Sequence, residues 1–293
     1  MSTESTNKIV VLGATGKVGS QLIQFLSDWN IPVKALSRDI SKAKQLPGVE
    51  WQEGDMNDDK ILQNILQGSK KLFLNSGIQP DMKELQCHII DVAKESGIEY
   101  IINLSTPSAR EHSKDPIGEW HWQIEEYLKG SGLKWNILQP QSFMQNWLGD
   151  FAESVRAERK IYSAAGDGKR AFIDTRDIGE VAAKLFMNSG NKINKIIPLS
   201  GPEVVSYNDV ADALGNAIGK KVTYVSQTPE EAQKRYESKG TPEWAIKTFI
   251  AIAVNQKTGV AEQLISENVS EILGKPAKSI YVFARDYWLA FKE

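Results

Sequence analysis

Apolar residues along this chain come in short, dense runs that alternate with longer stretches of helical spacing. "KIVVLGA" (Lys8–Ala14) is β-branched and ends in glycine, as a buried strand does before a turn. The stretch after it, "KVGSQLIQFLSDWN", places apolar residues at Val18, Leu22, Phe25 and Leu26, which form one face of a helix. Further strands are predicted at "VKALS" (Val33–Ser37), within "VEWQEGD" (Val49–Asp55), at "KLFLNSG", at "IEYIINLS" (Ile98–Ser105) and at "LKWNILQP". Between them "DKILQNILQG", "MKELQCHIIDVAKESG" and "EWHWQIEEYLKGSG" read as helices, closed by Gly68, Gly97 and Gly130. Strands apolar along their whole length have no solvent face, so they predict parallel pairing with helices on both sides. Right-handed crossovers turn such a series into an α/β fold with a doubly wound parallel sheet, the Rossmann architecture.

Beyond Pro140 the pattern loosens. "SFMQNWLGDFAESV" reads as a helix with leading aromatics, then come a glycine-rich turn ("SAAGDGKRAF"), a return helix ("IDTRDIGEVAAKLFMN") and a short strand ("KIIPLSG"). The last third is mainly helical, with Ser or Thr N-caps expected for "SYNDVADALGNAIG", "TPEEAQKRYESKG" and "TPEWAIKTFIAIAVNQ". The expected division is a Rossmann domain over 1–150 with a return segment near 171–200, and a smaller, mainly helical substrate region over 151–170 and 201–293.

Candidate chemistry gathers at the first strand-to-helix junction, "VVLGATGKVGSQL". Gly13, Gly16 and Gly19 stand where a Rossmann sheet needs a tight turn, open backbone beside a pyrophosphate and close helix–strand packing. Thr15, Lys17 and Val18 complete the loop, whose helix N-terminus offers N–H groups to phosphate. At the end of the second strand, "ALSRDISKAK" places Ser37 and Arg38 where the adenosine ribose is read. A guanidinium there grips a 2′-phosphate and stacks on adenine, so NADP(H) is expected over NAD. Asp55 and Met56 after the third strand suit the adenine, and Asn75 and Ser76 end the fourth strand on the switch-point side.

Composition narrows the class. The chain has 293 residues, 41% hydrophobic and 25% charged, which is ordinary for a globular protein. A net charge of −2 with no basic arm gives no footprint for nucleic acid. Cys87 is the only cysteine, so no intrachain disulfide forms and a cytoplasmic setting is expected. No run approaches the ~20 apolar residues of a membrane span, and the N-terminus lacks a signal-peptide pattern. The three histidines show no metal-ligand spacing, so no metal is expected. A small-molecule substrate is the expected partner, and the chain is compatible with a monomer or a homodimer.

With these residues placed, the chain resembles the NmrA-like group of atypical short-chain dehydrogenases/reductases. The resemblance rests on "GATGKVG", on "SRD" and "GD" after the second and third strands, on "HWQIEEYLKGSGLKWNILQPQSFMQN" and on "SGPEVVSYNDVADALGNAIGKKV". It is strongest toward the triphenylmethane reductase, quinone reductase-like and ergot-alkaloid dehydrogenase branches, and Gln139 stands where an arginine is usual. The resemblance implies a Rossmann domain binding NADP(H) with a smaller C-terminal substrate region. Members reduce quinones, imines and dyes; others bind the dinucleotide as redox-sensing regulators.

Ordinary short-chain dehydrogenases carry a Tyr and a Lys at i, i+4 on one helix, with a Ser at the end of the fifth strand. Here Ile117 falls at the Tyr position and His121 at the Lys position, while Ser105 is retained. Chemistry that moves a proton on and off a hydroxyl needs the missing phenol. A quinone, an iminium or a conjugated aromatic accepts hydride with less help, needing orientation and exclusion of water. His121 has three readings: a general acid, a neutral partner of the nicotinamide, or a structural histidine held by Glu125 one turn on or by backbone. Phe143, Met144 and Trp147 are the expected contacts of a flat apolar substrate. The expected function is an NADPH-dependent reductase of an activated acceptor, and the alternative is a non-catalytic NADP(H)-sensing regulator.

Overall fold

The computed structural model describes residues 8–113, 115–259 and 264–292. Along the chain the elements are β1 (Ile9–Val11), α1 (Gly19–Asp28), β2 (Val33–Ser37), β3 (Val49–Glu53), α2 (Asp59–Leu66), β4 (Lys71–Leu74), α3 (Met82–Glu95), β5 (Tyr100–Leu104), α4 (Pro116–Gly130) and β6 (Lys134–Pro140). There follow β7 (Ser142–Phe143), α5 (Asp150–Glu158), β8 (Lys160–Ser163), β9 (Arg170–Ile173), α6 (Thr175–Met187), β10 (Lys195–Leu199), β11 (Val204–Val205), α7 (Tyr207–Ile218) and β12 (Thr223–Ser226). Helices α8 (Pro229–Ser238), α9 (Glu243–Lys257), α10 (Asn268–Leu273), α11 (Ile280–Asp286) and α12 (Trp288–Phe291) complete the series.

The chain divides into two compact units. The first comprises Met1–Pro140, Thr175–Leu199 and Asn268–Lys275. Its sheet has seven strands in the order β10-β6-β5-β4-β1-β2-β3, and every pairing is parallel. The order reverses between β1 and β4, the topological switch point at which doubly wound sheets bind ligands. β1, β4 and β5 are buried apart from Lys71, consistent with helices on both faces. On one face α2, α3 and α4 bury Leu62, Ile65, Leu66, Ile89, Ile90, Ile124 and Leu128 against Val10, Leu12, Leu72 and Ile101. α1 and α6 pack on each other closely enough that a Cβ on Gly179 would meet Leu22 N at 2.8 Å. α2 and α4 begin at aspartate caps: Asp58 accepts from Lys60 N and Ile61 N, and Asp115 from Ile117 N.

The second unit comprises Gln141–Asp174, Ser200–Glu267 and Pro276–Glu293. It holds a three-stranded sheet, β11-β9-β7, and a parallel pair, β12-β8. Its core includes Met144, Trp147, Phe151, Phe172 and Phe283, with Trp147 edge-on to Phe172 at 4.9 Å and to Phe283 at 5.3 Å between centroids. Arg235 of α8 grips Asp150 of α5 through both terminal nitrogens, at 2.6 and 2.8 Å, and Lys239 joins at 2.6 Å.

Three local expectations are corrected here. The single helix expected over "SFMQNWLGDFAESV" is a short strand, a 3-10 turn over Met144–Leu148 and then α5. Gly149 causes the break, with φ −91° and ψ −107°, outside the helical and extended regions. The glycine-rich turn is present but shorter than expected, since Ser163 ends β8 and Arg170–Phe172 belong to β9. α9 is preceded by Pro242 at the N-cap position, and a proline has no side-chain acceptor, so the expected Thr cap is not made.

Candidate functional site

The site is built at the C-terminal ends of β1, β2 and β4, within the first unit. The chain leaves β1 with Leu12 N donating to Phe73 O, then turns at Gly13, whose φ of +70° favours glycine. A Cβ there would lie 2.5 Å from Asn75 O. Gly16 N donates back to Gly13 O at 3.0 Å, and a Cβ on Gly19 would lie 2.2 Å from that same oxygen. The loop is therefore folded so tightly against the start of α1 that Gly19 admits no side chain.

One cleft brings together Gly13, Thr15, Gly16, Ser37, Arg38, Asp55, Met56, Asn75 and Ser76, nine of the residues expected to hold cofactor. Leu36, Gly54, Asn57, Gly77, Gln79 and Leu85 also line it and were not anticipated. Gly54 and Gly77 sit in the quoted "GD" and "NSG" stretches, so a signal was present for them; Gln79 and Leu85 carried none. Val18 and Gly19 are buried behind the loop, while Lys17 and His121 do not line the cleft. Burial lowers the Lys17 ammonium below its ordinary value.

The cleft's polar groups are preset by local bonds. Asp55 accepts from Asn57 N at 2.9 Å and from its Nδ2 at 2.8 Å, which holds its carboxyl below the usual range, and the Arg38 charge acts the same way. Ser37 Oγ accepts from Asp39 N at 3.2 Å. Gln86 donates to Ser76 Oγ at 3.0 Å and itself accepts from Asn103 at 2.8 Å. A glycine cradle at a helix start, a guanidinium at the β2 end and a polar β4 end fit a dinucleotide with a 2′-phosphate. Arg38, Ser37 and the Gly13–Gly16 loop would hold the adenosine and phosphate portions.

Ser105 follows β5, one strand from the cleft. It is buried and donates from Oγ to Glu125 Oε1 at 2.5 Å; Gln139 Nε2 donates to the same oxygen at 2.8 Å. Lys129 Nζ lies 3.8 Å from the other oxygen. Burial pushes the Glu125 carboxyl above its usual range, against the pull of these partners. The expected Glu125–His121 bond is not formed, since β5 and β6 deliver their own donors to that carboxyl. His121 is 7% exposed and its Nδ1 has no hydrogen-bond partner among the described residues. Burial pushes its imidazole down to about 4, so the ring is neutral near pH 7. Ile117, one turn earlier, is half-buried.

The expected substrate contacts divide. Met144 and Trp147 lie inside the second unit's core, while Phe143 at the end of β7 is half-buried. Among the described residues no cluster of three or more His, Cys, Asp and Glu is poised for a metal, and no helix is long and apolar enough to cross a membrane. Burial pushes the Cys87 thiol up to about 11, the reverse of what a nucleophile needs.

Residues 5–276 match the NmrA-like family. The chain belongs to that family. An NAD(P)H azoreductase of Xenophilus azovorans is 32% identical over 289 residues, covering 97% of this chain and 99% of that one. The NADPH-dependent quinone oxidoreductase of Escherichia coli, solved with NADPH, superposes with a TM-score of 0.83 at 25% identity, covering 96% of this chain and 99% of that one. The triphenylmethane reductase of Citrobacter sp. shares the fold at a TM-score of 0.83 and 23% identity, with 96% and 99% covered.

Proposed function

We propose that the chain is an NADPH-dependent reductase that passes hydride to an activated small-molecule acceptor: a conjugated aromatic such as an azo compound, a quinone or an iminium. The reading is supported by helix α4, where sequence spacing puts Ile117 and His121 at the positions of the usual Tyr–Lys pair and His121 is buried and neutral. A helix without a phenol there suits acceptors that do not depend on a tyrosine proton. The glycine cradle and Arg38 support NADP(H) as the cofactor, and the full-length azoreductase relative supports the acceptor class. When bound, NADPH supplies the hydride. The chain's own residues grip its phosphates, orient the acceptor and exclude water. Ser105, the residue after β5, the strand beside β4, is the proposed polar contact for the acceptor. Neutral His121 serves positioning rather than proton donation. The half-buried Phe143 is the proposed aromatic contact of the acceptor, whereas Met144 and Trp147 lie in the second unit's core.

The test is NADPH oxidation with a panel of methyl red, menadione, crystal violet and a cyclic iminium. Saturable turnover of at least one acceptor is expected. Tight NADPH binding with no turnover across the panel would overturn the reductase reading in favour of a dinucleotide-sensing regulator.

A further inference from the structure

A carboxyl group is buried beside the proposed site, and the reductase reading gives it no role. Glu125 is 1% exposed, yet among the described residues it faces one cation, Lys129 Nζ at 3.8 Å from Oε2. Its other oxygen takes two neutral donors, Ser105 Oγ at 2.5 Å and Gln139 Nε2 at 2.8 Å. The remaining ionisable neighbours are on its own helix: Glu126, whose charge opposes ionisation, and His121 one turn away. Ser105 links this carboxyl to the sheet end. It is the residue after Leu104 of β5, and Asn103 of that strand pairs with Leu74, immediately before the cleft-lining Asn75 and Ser76.

Resting on the reductase reading, we propose that Glu125 is a proton reservoir acting through Ser105, a positioning residue that sets which way the serine hydroxyl points. Ionised, the carboxylate accepts the Ser105 O–H and ties it down. Protonated, it donates to Ser105 Oγ and frees the serine hydrogen for the acceptor. Reduction of an azo bond then balances. Hydride from NADPH bonds to one nitrogen, breaking the N=N π bond. The other nitrogen takes the Ser105 proton, and Ser105 Oγ takes the proton of Glu125. The Glu125 carboxylate regains a proton from water on the side of the partly exposed Lys129. The raised Glu125 carboxyl, caused by burial, agrees with a proton being held there.

The role predicts a split between acceptors. Crystal violet, a carbocation, needs hydride and no proton, whereas methyl red needs both. Glu125→Gln keeps the volume and a hydrogen bond to Ser105 but supplies no proton. Its kcat for methyl red is expected to fall at least tenfold, with crystal violet within twofold of wild type and KM for NADPH unchanged. Wild-type methyl red turnover should decline as pH rises through the raised Glu125 value, and that limb should be absent from E125Q. Difference infrared spectra should show a buried carboxylic-acid C=O stretch that titrates over the same range and is missing in E125Q. An equal loss on both acceptors, no loss on either, turnover of crystal violet alone, or no titrating carboxyl band overturns the proposal. If methyl red alone is turned over, survival of the pH limb in E125Q overturns it and its disappearance supports it. Wild-type inactivity on every acceptor refutes the reductase reading itself.

Discussion

An imidazole that is 7% exposed, with no partner for Nδ1 among the described residues, affects stability as well as the site. In the unfolded chain His121 takes up a proton near pH 6.5, but in the folded chain burial delays this to about 4. Below pH 6.5 the unfolded state therefore binds more protons, and stability falls until the folded-state value is reached. The loss approaches about 3 kcal/mol at full effect. His121→Met should retain more of its pH 7.5 stability at pH 5 than wild type does, read from urea midpoints. An identical acid loss in both proteins would show that the imidazole is not its source. Glu125 works in the opposite sense: its raised value favours the fold at low pH, and that stability is lost as pH rises through it. The sequence singled out Ser105 and His121, but it paired Glu125 with the wrong neighbour. Spacing along one helix brings Glu125 near His121, whereas Ser105 and Gln139 reach it from two adjacent strands.

At the scale of elements, the β1–α1 junction is a packing requirement written into three glycines. Gly19→Ala would put a methyl carbon 2.2 Å from Gly13 O, which is backbone and cannot rotate aside. It should cost about 1–3 kcal/mol and weaken NADPH binding at least tenfold by displacing the phosphate loop. Gly130→Ala, at the end of α4 with nothing within 4 Å, should leave both unchanged and serves as the control. Urea melts and quenching of tryptophan fluorescence by NADPH check the pair. The strands and helices up to Pro140 were legible because the strands are dense apolar runs ended by turn residues and the helices are long enough to show their period. β7 and β11 have two residues each and pair through β9, so no local pattern marks them. The aromatic spacing of Phe143, Trp147 and Phe151 imitated one helix because Gly149 interrupts the backbone without breaking the apolar pattern.

For the whole molecule, every described residue that lines the cleft belongs to the first unit, so a dinucleotide bound there would stabilise that unit. NADPH at a hundredfold excess over its Kd should add about 2.7 kcal/mol and raise the melting transition by roughly 5–10 °C. In Arg38→Asp the shift with NADPH should shrink to that seen with NADH, measured by calorimetry. Equal shifts from both cofactors in wild type would refute the assignment of Arg38 to the 2′-phosphate. The sequence by itself determined the parallel sheet, the glycine loop and the residues that end β1, β2 and β4. Those features follow from local periodicity and from turn chemistry that only certain residue types satisfy. Only the tertiary structure decided the rest. It gathered Gln79 and Leu85 into the cleft, enclosed Trp147 between Phe172 and Phe283, and gave Glu125 its partners. These depend on strand order and on burial, quantities that arise when residues distant in the chain exclude water from one another.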